Sequence, residues 1–87
     1  MTTTTAVTVD ELATLMKQAA GVTVDPRELE QSPQTPFSVL GVDSLGLLGI
    51  VGELENRTGQ SLPNDAERCK TPEEFLALVN DTLRNGA

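Results

Sequence analysis

Apolar residues recur at helical spacing in three stretches of the chain, and polar, proline-marked stretches separate them. Leu12, Leu15, Met16 and Ala19 stand at i, i+3, i+4 and i+7, the stripe one face of a helix buries. Thr8 and Glu11 make a capping box ahead of it, with Val7 placed to staple onto Leu12. Lys17 lies near the C-terminal end and Gly21 follows as a C-cap, so the pattern predicts a first helix over 8–20. Leu47, Ile50, Val51, Leu54 and Thr58 predict a second helix over 44–58, supported by a Glu53–Arg57 pair and ended by Gly59. Its far side carries Gly46, Gly49, Gly52 and Asn56, with Leu45 among them. The last helix opens at Thr71-Pro72-Glu73-Glu74, a capping box with Pro at its first position. Phe75, Leu78, Val79 and Thr82 form its predicted face, flanked by Leu76 and Leu83, where it ends.

Between the first two helices, residues 21–43 contain Pro26, Pro33 and Pro36, which forbid a continuous helix. A connection this long in a small domain is usually functional or tied down by its own side chains. Val22, Leu29, Phe37, Val39, Leu40 and Val42 are its candidate anchors, with a short helical turn around 26–31. After Gly59, Ser61-Leu62-Pro63-Asn64-Asp65 reads as a turn anchored by Leu62, and 65–70 as a short helix. The expected fold is all-α: a small antiparallel bundle of three main helices plus one short helix, with a long loop between helices 1 and 2. Eighty-seven residues make one domain, taken as 8–85 behind a flexible tail over 1–7.

Composition then removes most kinds of chemistry. The chain has no His, and so lacks the usual general base, the usual activator of a Ser or Cys nucleophile, and the commonest metal ligand. A single cysteine, Cys69, makes neither an internal disulfide nor a zinc cluster. Its neighbours Arg68 and Lys70 are charges that lower a thiol pKa, but without a base it reads as a small packing residue. Thirteen acids against six bases give a net charge of −7, which argues against nucleic acid and anionic membranes as partners. No apolar run approaches the roughly 20 residues a membrane helix needs. The Thr-rich start has neither region of a signal peptide. These features lead to the expectation of a cytoplasmic, monomeric protein that holds no metal and is not itself an enzyme.

Gly41-Val42-Asp43-Ser44-Leu45 is the stretch the rest of the chain serves. Asp43 and Ser44 both suit a helix N-cap, which is the plain reading. Ser44 has no imidazole to activate it, and the Gly-x-Ser-x-Gly elbow of serine hydrolases is absent. A serine at a helix N-terminus is nevertheless a good place for an anion such as a phosphodiester, which free N–H groups and the helix dipole favour. Three glycines inside one helix each cost about 1 kcal/mol relative to Ala. They read either as a bare surface beside Ser44 where another protein lies close, or as drift on a solvent face. Leu45 reads as a recognition knob or as an ordinary exposed leucine.

The Gly41–Leu45 stretch resembles the Gly-x-Asp-Ser-Leu signature of acyl carrier proteins. Leu54-Glu55-Asn56-Arg57-Thr58-Gly59, Leu62-Pro63-Asn64-Asp65, Thr71 to Leu76 and Leu78-Val79-Asn80 resemble the discrete carriers of type II, aromatic polyketide synthases. The resemblance runs from Thr8 to Leu83. It implies that a phosphopantetheinyl transferase moves 4′-phosphopantetheine from coenzyme A onto Ser44. It implies further that the cofactor's thiol, not Cys69, carries malonyl units and growing polyketide chains as thioesters. Ketosynthase/chain-length factor, malonyl transferase, ketoreductase and cyclase partners are then expected to read the second helix. Asp43 and Leu45 are the first candidates for recognition, with Gly49, Gly52, Glu53 and Glu55 behind them. Gly49 departs from the family, whose members commonly carry an acid there, so the usual charge-based docking is not expected at that position. Carriers of fatty-acid synthesis and peptidyl carriers share the Ser44 chemistry and differ in cargo. An unmodified acidic helical interaction module is the reading from another class.

Overall fold

A computed structural model describes residues 7–85. Five α-helices follow in order: α1 (Val9–Ala20), α2 (Pro26–Gln31), α3 (Phe37–Leu40), α4 (Ser44–Thr58) and α5 (Pro72–Asn85). A 3-10 turn over Asn64–Arg68 lies between the last two, and the architecture is all-α with three main helices. Each boundary has a local cause. Thr8 accepts from the Glu11 N–H at 3.1 Å, and the Glu11 carboxylate returns a bond to the Thr8 N–H at 3.4 Å, completing the box that starts α1. Gly21, Gly41 and Gly59 end α1, α3 and α4 with φ of 70°, 96° and 72°, a region where a Cβ is strained.

The apolar stripes meet in one core. Leu12, Leu15 and Met16 of α1, Ile50 of α4, and Phe75, Val79 and Leu83 of α5 are almost wholly buried there. Each large side chain so buried contributes about 1.5–3 kcal/mol of transfer free energy. No buried polar side-chain atom among the described residues lacks a partner.

The long connection is held down at several points. Leu29, Phe37 and Val42 are buried. Phe37 meets Phe75 edge-on, with ring centroids 5.9 Å apart at 88°, a geometry worth about 0.5–1.5 kcal/mol beyond area. The Phe37 N–H donates to Lys70 O at 2.8 Å and the Glu73 N–H to Pro33 O at 2.9 Å. These two bonds clip the connection onto the start of α5, and the chain then turns at Gly41 into α4.

Several expectations are corrected here. The connection contains α3 as well as α2, and four residues are too few to show a helical period. Val39 is not an anchor: it is 71% exposed. The core stripe of α5 runs Pro72, Phe75, Val79, Leu83, with Val79 and Leu83 buried one residue on from the expected Leu78 and Thr82, and the helix continues to Asn85. Thr71 accepts from the Glu74 N–H at 3.2 Å, but the Glu74 carboxylate takes the Lys70 N–H instead of closing the box on Thr71. Val7, assigned above to the tail, is buried, and Asn80 grips its backbone, accepting from Val7 N at 2.6 Å and donating to Val7 O at 3.1 Å. The remainder of the proposed tail, 1–6, lies outside the described residues.

Candidate functional site

Ser44 is the first residue of α4 and is exposed. The cap itself belongs to Asp43, whose carboxylate accepts the Gly46 N–H at 2.8 Å while its carbonyl accepts the Leu47 N–H at 2.9 Å. Those bonds leave the first-turn N–H groups of Ser44 and Leu45 for solvent or an anion. The serine hydroxyl is therefore free of capping duty, and a fifteen-residue helix stands behind it. Leu45 is 75% exposed and Leu48, one turn further on, 46%. Leu48 escaped the sequence reading because a lone leucine beside a core stripe carries no signal of its own.

The other expected recognition residues divide. Gly46 is buried, and a Cβ there would sit 2.9 Å from Ala20 Cβ and 3.2 Å from Asp43 Oδ1. A Cβ at Gly49 would sit 3.3 Å from Ala19 O. These two glycines let α4 pass close to the C-terminal end of α1, so the bare docking surface expected of all three reduces to Gly52, where a Cβ meets nothing within 4 Å. Glu53 pairs with Arg57 at 3.4 Å, and Arg57 also reaches Gln18 of α1 at 2.9 Å. The Glu55 carboxylate accepts the Leu62 N–H at 2.8 Å and so holds the turn that follows α4.

Ser44 also borders an open groove of about 620 Å³ between the start of α4, α3 and the segment after the 3-10 turn. Phe37, Val42 and Leu47 give it apolar walls, and Asp43, Glu67, Arg68 and Lys70 are its charged residues. Cys69 lines the same groove. Burial pushes its thiol pKa up, and the carboxylates of Glu74 and Asp65 push it further the same way. The lowering expected from Arg68 and Lys70 does not occur, which suits a packing role. An exposed serine hydroxyl at a helix start, beside a groove with apolar walls, is chemically suited to a tethered phosphodiester whose arm is mostly uncharged.

Comparison with known proteins bears on this arrangement. The family model described as "Phosphopantetheine attachment site" matches residues 10–79. The chain is similar to a probable acyl carrier protein of Streptomyces coelicolor, 61% identical over 80 residues that cover 92% of this chain and 89% of that one. It is 59% identical over 86 residues to the curamycin polyketide synthase acyl carrier protein of Streptomyces cyaneus, covering 99% of this chain and 98% of that one. The solved structure of the 3,5-dioxohexyl acyl carrier protein from the actinorhodin polyketide synthase of Streptomyces coelicolor superposes with a TM-score of 0.77 at 35% identity, covering 100% of both chains.

Proposed function

The chain belongs to the phosphopantetheine attachment family, as an acyl carrier protein of the type II polyketide synthases with a covalent 4′-phosphopantetheine, and we propose that Ser44 is the attachment residue. The observation that carries this is the division of labour at the start of α4. Asp43 makes the cap, so the neighbouring hydroxyl is exposed and unengaged in it. The bound group supplies a thiol on a long tether, where acyl cargo rides as a thioester. The cargo in this reading is malonyl units and growing polyketide intermediates.

The chain's own residues orient and present. Asp43 fixes the first turn of α4 and so the direction of Ser44. A phosphopantetheinyl transferase must bring the base that takes the serine proton, since a chain without His has none suited to it. For the same reason the chain acts as a carrier without a catalytic group of its own. Leu45 and Leu48 are exposed apolar residues on the first turns of α4, fitted to enter shallow pockets of partner enzymes. Those partners are the ketosynthase/chain-length factor, malonyl transferase, ketoreductase and cyclases, met by a monomer in the cytoplasm. No helix among the described residues is long and apolar enough to cross a membrane.

Incubation with coenzyme A and a phosphopantetheinyl transferase, followed by intact mass measurement, tests the assignment. The wild-type chain is expected to gain one phosphopantetheine and Ser44→Ala none. A gain on folded Ser44→Ala overturns it.

A further inference from the structure

We infer that Arg68 and Lys70 are positioning residues for the phosphodiester on Ser44, drawing the root of the arm across the groove instead of letting it stand into solvent. The inference rests on the attachment reading above and adds what this chain's cations do there. Only six residues of the chain are Lys or Arg, against thirteen acids. Two of the six line the groove that Ser44 borders. Arg57 and Arg84 are paired with Glu53 and Asp81. Among the described residues, Arg68 and Lys70 make no ion pair.

Lys70 is also fixed in place at its backbone. Its N–H donates to Glu74 at 2.9 Å, and its carbonyl accepts from Phe37 at 2.8 Å. The carbonyl of that same Phe37 accepts the Val42 N–H at 2.9 Å, two residues before Ser44. The segment bearing the cations and the segment bearing the serine are thus joined through one residue at the groove wall.

Charge balance favours an anion in this place. The groove's acids, Asp43 and Glu67, and its bases, Arg68 and Lys70, cancel, in a chain whose net charge is −7. A phosphodiester added at Ser44 shifts the groove to net negative and offers an anionic partner to two cations that make no ion pair among the described residues. The acyl cargo's carboxylate is a second anion of similar chemistry, but it sits at the far end of the tether. The phosphodiester is within a few bonds of Ser44 whatever the tether does, so it is the group we assign.

Amide chemical shifts of apo and loaded protein at low salt provide the test, on wild type, on R68Q/K70Q and on the distant control K17Q. The mass spectrum first verifies loading. A chain that takes up no phosphopantetheine sinks the attachment reading and this one with it. In loaded protein, the expected shifts extend from Ser44 to Phe37, Val42, Leu47 and Lys70. They are lost in R68Q/K70Q, kept in K17Q, and diminished in wild type at 1 M salt, where the screening length is only about 3 Å. All three cationic positions are exposed, so the variants are expected to fold, as a melting curve verifies. Shifts confined to the immediate neighbours of Ser44, or undiminished in R68Q/K70Q, overturn the inference. So does a response at these positions that appears only after malonyl loading, since that assigns the cations to the carboxylate.

Discussion

Gly46 and Gly52 are six residues apart on one helix, yet the same substitution is expected to act with opposite sign. At Gly52 an added methyl meets open space, so Gly52→Ala gains helix propensity and raises stability by about 0.5–1 kcal/mol. At Gly46 the methyl meets Ala20 Cβ and the capping carboxylate, and overpacking of that kind costs about 1–3 kcal/mol. Urea midpoints of the two variants decide the matter; equal effects contradict the close approach of α4 to α1. Cys69 offers a pH test at the same scale. Its pKa in the fold is raised from the ordinary 9.0, so the unfolded chain gives up this proton first as pH climbs. The contribution to stability is complete below 9.0 and is lost as pH rises through the higher folded value. Stability of the wild type is therefore expected to fall more steeply above 9.0 than that of Cys69→Ser, as urea melts over that range measure. Alkylation of the folded thiol is likewise expected to be slower than in the unfolded chain.

At the level of elements, the two ends of the chain are joined by one amide side chain. Asn80 of α5 takes both backbone groups of Val7. Asn80→Ala leaves them without that partner and is expected to cost about 1–3 kcal/mol and to expose the start of α1 to hydrogen exchange. Unchanged exchange at Val7 and Thr8 contradicts the clamp. This contact joins residues 73 apart, and no local signal announces it. The main helices, by contrast, were legible because caps and apolar spacing are local. Thr8, Glu11, Gly21, Asp43 and Gly59 mark ends that α1 and α4 do adopt. What sequence misplaced depended on contacts between elements. Apolarity alone marks Val39 as an anchor, yet it is exposed while Phe37 and Val42 in the same segment are buried. The α5 stripe slid toward Pro72 and Leu83 because its packing partners, not its period, choose between neighbouring faces. Gly46 looked exposed until α1 was laid against it. Around the proposed site, the helix start at Asp43 and Ser44 is legible from five residues, while the exposure of Leu48, the groove and the commitment of Glu55 to Leu62 require the fold.

For the molecule as a whole, the proposed role makes a modest physical demand: hold one hydroxyl outward, keep it away from the chain's own hydrogen bonds, and offer a face that several enzymes can read in turn. A small core suffices for that role, which calls for no deep cleft. The acidic surface, at −7, steers the carrier toward basic partner surfaces and makes encounter rates sensitive to salt. Raising ionic strength is thus expected to slow transfer chiefly through the association step, seen as a rise in KM with little change in kcat. The most direct measurement of the central claim is fragmentation mass spectrometry of the loaded wild-type chain, resolved to the residue. The phosphopantetheine mass is expected on Ser44 alone, and finding it on any other side chain, Cys69 or a threonine included, contradicts the account.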